Sequence, residues 1–385
     1  MRIVVAGLWH LGTVTAGCLA SAGHDVIGLD EDAALVARLR AGELPVAEPG
    51  LQEIVQAELA SGRLRFSDSF AEAAGAEVVW VTYDTPVDDE DRADIEFVHT
   101  RALRLAEQMS EGAVLLVSSQ MPVGSIARLE REIGGRVRVA CSPENLRLGK
   151  ALQVFRSPDR VVVGVRDAET RAILEGVWAP FAPRMEWMSV ESAEMTKHAI
   201  NSFLATSICF INEIATLCER TGADALEVER GLKSDLRIGP GSYLHAGGAF
   251  AGGTLARRMR EVFPSLDGRT IAVLGLTYKP GTNTLRRSSA VEAAEYLHGQ
   301  GARVQAFDPQ ISELPESLRD VMQLAASVPE ALNGADAMVV MTPCPEFWDM
   351  RAEWARGIVF DAARVLEATL RGLPGLQYFS IGRAL

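Results

Sequence analysis

No C-x-x-C pair occurs in the chain, and its five cysteines (Cys18, Cys141, Cys209, Cys218, Cys344) are odd in number and widely scattered. That spacing builds neither a disulfide framework nor a structural zinc site, so a reducing, cytoplasmic compartment and no metal are expected. Positive charge is also short: 38 Lys+Arg stand against 51 Asp+Glu, a formal net charge of −13. Such a chain has no broad footprint for a phosphate backbone, which argues against nucleic acid as a main partner. No apolar run approaches the roughly 20 residues of a bilayer span. The N-terminus, Met1-Arg2-Ile3-Val4-Val5-Ala6-Gly7, reads as a strand where a secretory leader would carry its apolar core. No membrane partner is expected. Short-period repeats and low-complexity tracts are missing as well.

What is present is a chain of 385 residues, 48% hydrophobic and 23% charged, too long for one ordinary core. Ile3–Ala6 ends at Gly7, a helix-compatible stretch runs from Thr13 to Ala22, and Asp25–Asp30 forms a second apolar run ending on a carboxylate. That is one β-α-β unit of about thirty residues, the size of a parallel pair with its crossover. Glu77–Thr82, Ala113–Ser118 and Val137–Ala140 continue the pattern without period-two alternation, as strands buried on both faces should. The first ~185 residues therefore predict a doubly wound α/β domain. Ser192 to Gly231 lacks proline and has one interior glycine, Gly222, which predicts one long helix or a helical pair. A second α/β unit follows through Thr270–Gly275, Ala302–Pro309, Ala337–Met341 and Ile358–Asp361. The glycine-dense segment from Arg237 to Gly253 separates it from the helices.

Gly7-Leu8-Trp9-His10-Leu11-Gly12 sits between a strand and a helix, where dinucleotide folds place glycines for a tight turn and close pyrophosphate approach. The first and third glycines are there, but Trp9 holds the second position. Its side chain either turns outward or occludes the site; the bland alternative is an ordinary β-α turn. Asp30, about twenty residues on, can accept hydrogen bonds from a ribose diol. Glu31 and Asp32 follow with no arginine, which favours NAD over NADP.

Further segments form a series: Gly42–Leu51 (GELPVAEPGL), Thr85-Pro86, Ser119–Ser125 (SQMPVGS), Ser142–Arg147 (SPENLR), Ala193–Asn201 (AEMTKHAIN), Asn212-Glu213, Arg237-Ile238-Gly239 and Gly275–Thr282 (GLTYKPGT). In this order and spacing the chain resembles the UDP-glucose/GDP-mannose dehydrogenase family along essentially its whole length. The resemblance implies two Rossmann-like doubly wound domains joined by a long central helix. Residues 1–190 would bind NAD, 191–262 would form a helical spine with dimerisation and the glycine-rich loop, and 263–385 would bind the nucleotide sugar. It implies a homodimer and oxidation of C6 of a sugar, UDP-glucose-like, in two hydride transfers with the aldehyde held on a cysteine. By the same resemblance Thr85, Pro86 and Gln120 join Gly7, Trp9, Gly12 and Asp30 at the cofactor, while Arg147, Gly252, Gly253, Lys279 and Arg286 join Arg237 at the substrate.

The chain departs from the family's pattern at its chemistry. Thr254 falls where the cysteine of the F-G-G-x-C stretch should be, and no cysteine lies between Cys218 and Cys344. A threonine hydroxyl is a far poorer nucleophile than a thiolate near neutral pH. Gln120 stands for a water-orienting threonine, Leu148 for a glutamate and Arg258 for an acid. One altered chemistry explains four replacements better than four accidents do. It leaves open a modified oxidation without a covalent intermediate, or a non-catalytic nucleotide-sugar-binding paralogue.

Lys197 and Asn201 are four apart, on one helix face, where an ammonium and an amide could stabilise a developing alkoxide or a neutral lysine could take the hydroxyl proton. Apolar neighbours (Ala193, Ala199, Ile200, Phe203, Leu204) and the family match favour that over a solvated face. Glu144 follows a strand end, where α/β folds collect functional groups. Arg237 and Arg286 are candidate phosphate or sugar clamps, since guanidinium binds phosphate bidentately. Cys141, beside Glu144 in sequence, is a displaced thiol or a small packing residue.

Overall fold

The computed structural model describes residues 1–88, 90, 92–144, 146–181, 184–247, 259–348 and 357–383. They fold into two compact units, Met1–Asn201 and Ser202–Leu385. The first holds an eight-stranded sheet: β1 (Arg2–Ala6), β2 (Asp25–Leu29), β3 (Leu64–Ser67), β4 (Val78–Val81), β5 (Val114–Val117), β6 (Arg138–Cys141), β7 (Val161–Gly164) and β8 (Met185–Met188). Their spatial order is β3-β2-β1-β4-β5-β6-β7-β8. Ile3, Val4, Val5 and Ala6 are fully buried, as are Val78, Val79 and Val81. The unbroken apolar runs thus mark strands covered on both faces, as their lack of alternation requires. All pairings are parallel except β6 with β7, which meet antiparallel at Cys141 and Gly164. The order reverses between β1 and β4, the crevice in which such sheets bind ligands.

The second unit repeats the plan with six parallel strands: β9 (Thr270–Leu274), β10 (Arg303–Phe307), β11 (Gln323–Leu324), β12 (Ala337–Val340), β13 (Gly357–Asp361) and β14 (Leu376–Ser380). Their order is β11-β10-β9-β12-β13-β14. The fold is therefore α/β, two Rossmann-like parallel-sheet domains joined by the long helix Val190–Thr221. Sequence periodicity missed β3, β7, β8, β11 and β14. β11 has only two residues, β3 carries Arg65 in its middle, and β8 and most of β14 are only half-buried, so none of these presents an unbroken apolar run; β7 is a run as long as β4, β5 and β6.

Of the two expected forms of the 192–231 stretch, the pair is the one observed. The first helix ends at Thr221, Gly222 takes φ +80°, and a second runs Ala225–Ser234. A left-handed residue stops the helix, and glycine alone adopts it without steric cost. The first turns of the long helix are fixed to the first unit. Its buried Glu194 accepts from Gly124 N–H at 2.9 Å and Ile126 N–H at 3.0 Å, at the start of the helix Ser125–Ile133. A side chain on Gly164 would meet Val190 Cα at 2.7 Å, so the approach requires glycine. At 32 residues this helix passes the length and composition test for a membrane span, a test that core helices of soluble proteins also pass. Its exposed apolar residues include Phe203 (69%), Phe210 (48%) and Leu217 (54%), seven apart. A spacing of seven keeps such positions near one side of a helix, because two turns take about seven residues.

Candidate active site

β1 hands the chain to the helix His10–Ser21 through a turn that only glycine can make. Gly7 takes φ +99°, and a Cβ there would sit 2.6 Å from Tyr83 N. One on Gly12 would meet Gly7 O at 1.8 Å. Trp9, by contrast, has φ −79°, which any L-residue adopts, and its ring is 44% exposed. No side chain caps the helix, so its N-terminal dipole faces the turn without a protein anion on it. Leu8 N–H donates to Asp30 Oδ2 at 2.7 Å and Asp32 N–H to Asp30 Oδ1 at 3.1 Å. Two bonds leave the half-buried carboxylate further lone pairs for a ribose. Glycine turn, uncapped helix and strand-end carboxylate together fit a dinucleotide. On the opposite side of the turn Thr85 Oγ–H donates to Gln120 O at 2.6 Å, joining the loops after β4 and β5, and Pro86 O accepts from Asp94 N–H at 2.8 Å.

The absence of arginine after Asp30 in sequence is not an absence in space. Arg101, on the helix Ile95–Gln108, pairs with Glu31, and Arg104 NH1 lies 3.9 Å from Glu31 Oε2. The Arg101 guanidinium stacks 3.5 Å above the Phe97 ring and 5.8 Å from the Tyr83 ring centre. Burial lowers its pKa, and the charge of Asp30 acts in the opposite direction.

A cavity of about 290 Å³ opens within the first unit beyond the ends of β5 and β6. Trp80, Phe155 and Trp178 form its apolar wall; Arg147, Lys150, Arg160 and Lys197 supply four cations against Glu144 and Asp159. Lys197 Nζ stands 3.5 Å from Glu144 Oε2, both side chains mostly buried. Thr15 Oγ1 and Trp178 Nε1 are buried on the wall without a hydrogen-bond partner. A ligand or water with polar atoms would satisfy them. Such an arrangement can bind an anionic molecule and hold a proton at the Lys197–Glu144 pair.

Other expected residues stand elsewhere. Asn201 is exposed, and the cavity wall carries Thr196, Lys197 and Ile200 from its helix instead. The apolar setting inferred for the Lys197 face is mixed: Ala193 is buried, Ile200 and Leu204 are half-buried, and Ala199 and Phe203 are exposed. Arg237, in the second unit, is exposed and pairs with Asp235 at 2.7 Å. Lys279 and Arg286 lie on the loop after β9, where Lys279 Nζ is 5.5 Å from the Tyr278 ring centre. Arg287 follows with φ +55°, a strained conformation for a side-chain-bearing residue. Gly252, Gly253, Thr254 and Arg258 lie outside the described residues. Cys141 is no displaced nucleophile: it is buried, and burial pushes its thiol up to about 12, with Glu194 adding.

Sequence reasoning missed Glu48. Its carboxylate is 2.9 Å from His10 Nε2 and accepts from Gly149 N–H at 2.9 Å and Ala151 N–H at 2.7 Å. It ties the helix after the glycine turn to the loop carrying Arg147 and Lys150. Its signal was in view, the second of two acids in an apolar Pro/Gly segment, but the partners lie 38 and about a hundred residues away.

Residues 1–182 match the NAD binding domain described for the UDP-glucose/GDP-mannose dehydrogenase family, residues 191–268 its central domain and residues 272–368 its UDP binding domain. The chain is 33% identical to a UDP-glucose 6-dehydrogenase of Pseudomonas aeruginosa, over 100% of this chain and 98% of that one. Identity to the Rhizobium meliloti UDP-glucose 6-dehydrogenase is 34%, with full coverage of both. Among solved structures, a UDP-glucose dehydrogenase from the hyperthermophilic archaeon Pyrobaculum islandicum superposes with a TM-score of 0.89. It is 28% identical and covers 100% of this chain and 98% of its own.

Proposed function

Since the chain belongs to the UDP-glucose/GDP-mannose dehydrogenase family, with NAD as its cofactor, we propose that it oxidises C6 of a UDP-glucose-like sugar in one two-electron step without a covalent intermediate. NAD, when bound, supplies the hydride acceptor. The C6 alcohol loses a hydride and a proton and leaves as an aldehyde. Lys197 holds the hydroxyl proton or the alkoxide charge, and Glu144, 3.5 Å away, keeps the lysine oriented. The cations around the cavity suit an anionic substrate, and the UDP binding domain match supports a UDP-sugar. The heptad-spaced Phe203, Phe210 and Leu217 support a homodimer through the long helix, and the unpaired cysteines support a cytoplasmic setting.

One observation carries the single-step reading: no cysteine stands at the position where the family's pattern places the thiol that holds the aldehyde. Thr254 occupies the cysteine position, and Cys18, Cys141 and Cys344 are buried with their thiols pushed up to about 12 by that burial. The test is product stoichiometry with UDP-glucose. One NADH and an aldehyde trapped by a hydrazine are expected; two NADH and a carboxylate would refute the reading. The replacements at Gln120, Leu148, Thr254 and Arg258 also favour a second reading, a non-catalytic nucleotide-sugar-binding paralogue. That reading predicts UDP-sugar binding by calorimetry with no NADH formed.

A further inference from the structure

The adenosine end of the dinucleotide crevice contains an electrostatic arrangement that neither the glycine turn nor Asp30 explains. Two arginines reach it from the helix Ile95–Gln108, 70 residues away in sequence. Arg101 is fixed on three sides. Its guanidinium lies on the Phe97 ring, its NH1 donates to Phe97 O at 3.1 Å, and its NH2 meets Glu31. The Tyr83 ring beside it packs directly under Gly7, so Arg101 stands next to the turn itself. Arg104 stacks 3.9 Å over Phe70 and approaches the other oxygen of Glu31 at 3.9 Å.

A planar guanidinium held rigidly beside a ribose-binding carboxylate is the feature that receives a 2′-phosphate in NADP-dependent folds. Here both guanidiniums already face one carboxylate. Resting on the reading of the turn as an NAD site, we infer that Glu31 is a cofactor-specificity residue: it occupies Arg101 and Arg104 as an internal counter-ion and so denies them to a 2′-phosphate. Asp30 selects the ribose diol, while Glu31 disarms the cations that would otherwise accept its phosphorylated form. Glu31 acts by withholding the two guanidiniums from NADP rather than by touching NAD, as specificity between two near-identical ligands often requires.

The experiment is calorimetric titration of the full-length chain with NAD and with NADP, no sugar present, in wild type, Glu31→Gln and the double variant Glu31→Gln/Arg101→Met. Wild type binds NAD. In Glu31→Gln the NADP affinity relative to NAD rises about tenfold or more, and 0.5 M sodium chloride erodes the gain because the new contact is partly exposed. Adding Arg101→Met returns the ratio to its wild-type value. Glu31 is a surface side chain, 37% exposed, and the gain-of-binding readout separates a folded variant from a damaged one. A ratio unmoved in Glu31→Gln while NAD still binds overturns the inference, as does a gain that survives loss of Arg101. Wild type that binds neither cofactor refutes the NAD site itself, a different failure with a different signature.

Discussion

Lys197 Nζ and Glu144 Oε2 lie 3.5 Å apart across the cavity wall, although 53 residues separate them in sequence. The long helix brings the lysine and the loop after β6 brings the acid. Glu194, one turn before Lys197 on the same helix, fixes the helix by accepting from two backbone N–H groups at the start of a neighbouring one. The pair makes the first prediction. Lys197→Met should lower kcat about 10²- to 10⁴-fold with a small change in KM, the signature of a group acting on the reacting atoms. Glu144→Gln, which keeps shape and loses charge, should cost about tenfold. Steady-state kinetics with UDP-glucose measure both.

The second concerns thiols. Four of the five cysteines are buried, and Cys209, on the long helix, is exposed. Iodoacetamide should therefore label Cys209 and leave NADH formation within about twofold of the untreated enzyme. Thr254→Cys should make activity sensitive to the reagent and raise NADH per sugar above one. If the added thiol is alkylated but stoichiometry stays at one, Gln120, Leu148 and Arg258 matter as much as the missing nucleophile. Mass spectrometry of the labelled protein locates the adduct.

The helix seam gives a third. Phe210→Glu places a charge among Phe203, Phe210 and Leu217. Sedimentation equilibrium should find a dimer for wild type and a monomer for the variant. Phe210 is half-exposed in the single chain, so the circular dichroism spectrum should be retained.

A fourth follows from titration in the second unit. The Arg364 hydrogen bond holds the Asp224 carboxyl below the usual carboxylate range. At Glu367 burial acts upward but is outweighed by hydrogen bonds from Arg364 and Arg371, so its pKa is also lowered. Both groups bind protons more readily unfolded than folded, so their stabilisation is present above about pH 4.5 and is lost as pH falls below it. Asp361 has the opposite sign: burial raises it, so its contribution is full at low pH and fades as pH rises through its folded value. Net acid destabilisation is expected from the two lowered groups. Arg364→Met should flatten that limb while lowering stability throughout, as urea midpoints between pH 3 and 7 would show.

The two Rossmann-like sheets were legible in the sequence because strands covered on both faces leave unbroken apolar runs, and because a strand-turn-helix needs glycine where φ turns positive. Gly7 and Gly275, at φ +99° and +82°, mark the same turn in both units, each followed by a leucine N–H donating at 2.7 Å to the aspartate ending the next strand. β3, interrupted by Arg65, and the two-residue β11 offer no apolar run and do not show in the sequence. The order of family segments and the empty cysteine position were likewise visible in one dimension. What tertiary structure alone decided were meetings between charges far apart in the chain: Lys197 with Glu144, Glu48 with His10 and two backbone N–H groups, and Glu31 with Arg101. The sequence shows no arginine directly after Asp30, and the spatial approach of Arg101 and Arg104 to Glu31 is outside what neighbours along the backbone can reveal. Charges act through space over several ångströms, and the crossover connections of a parallel sheet bring residues 70 positions apart into that range.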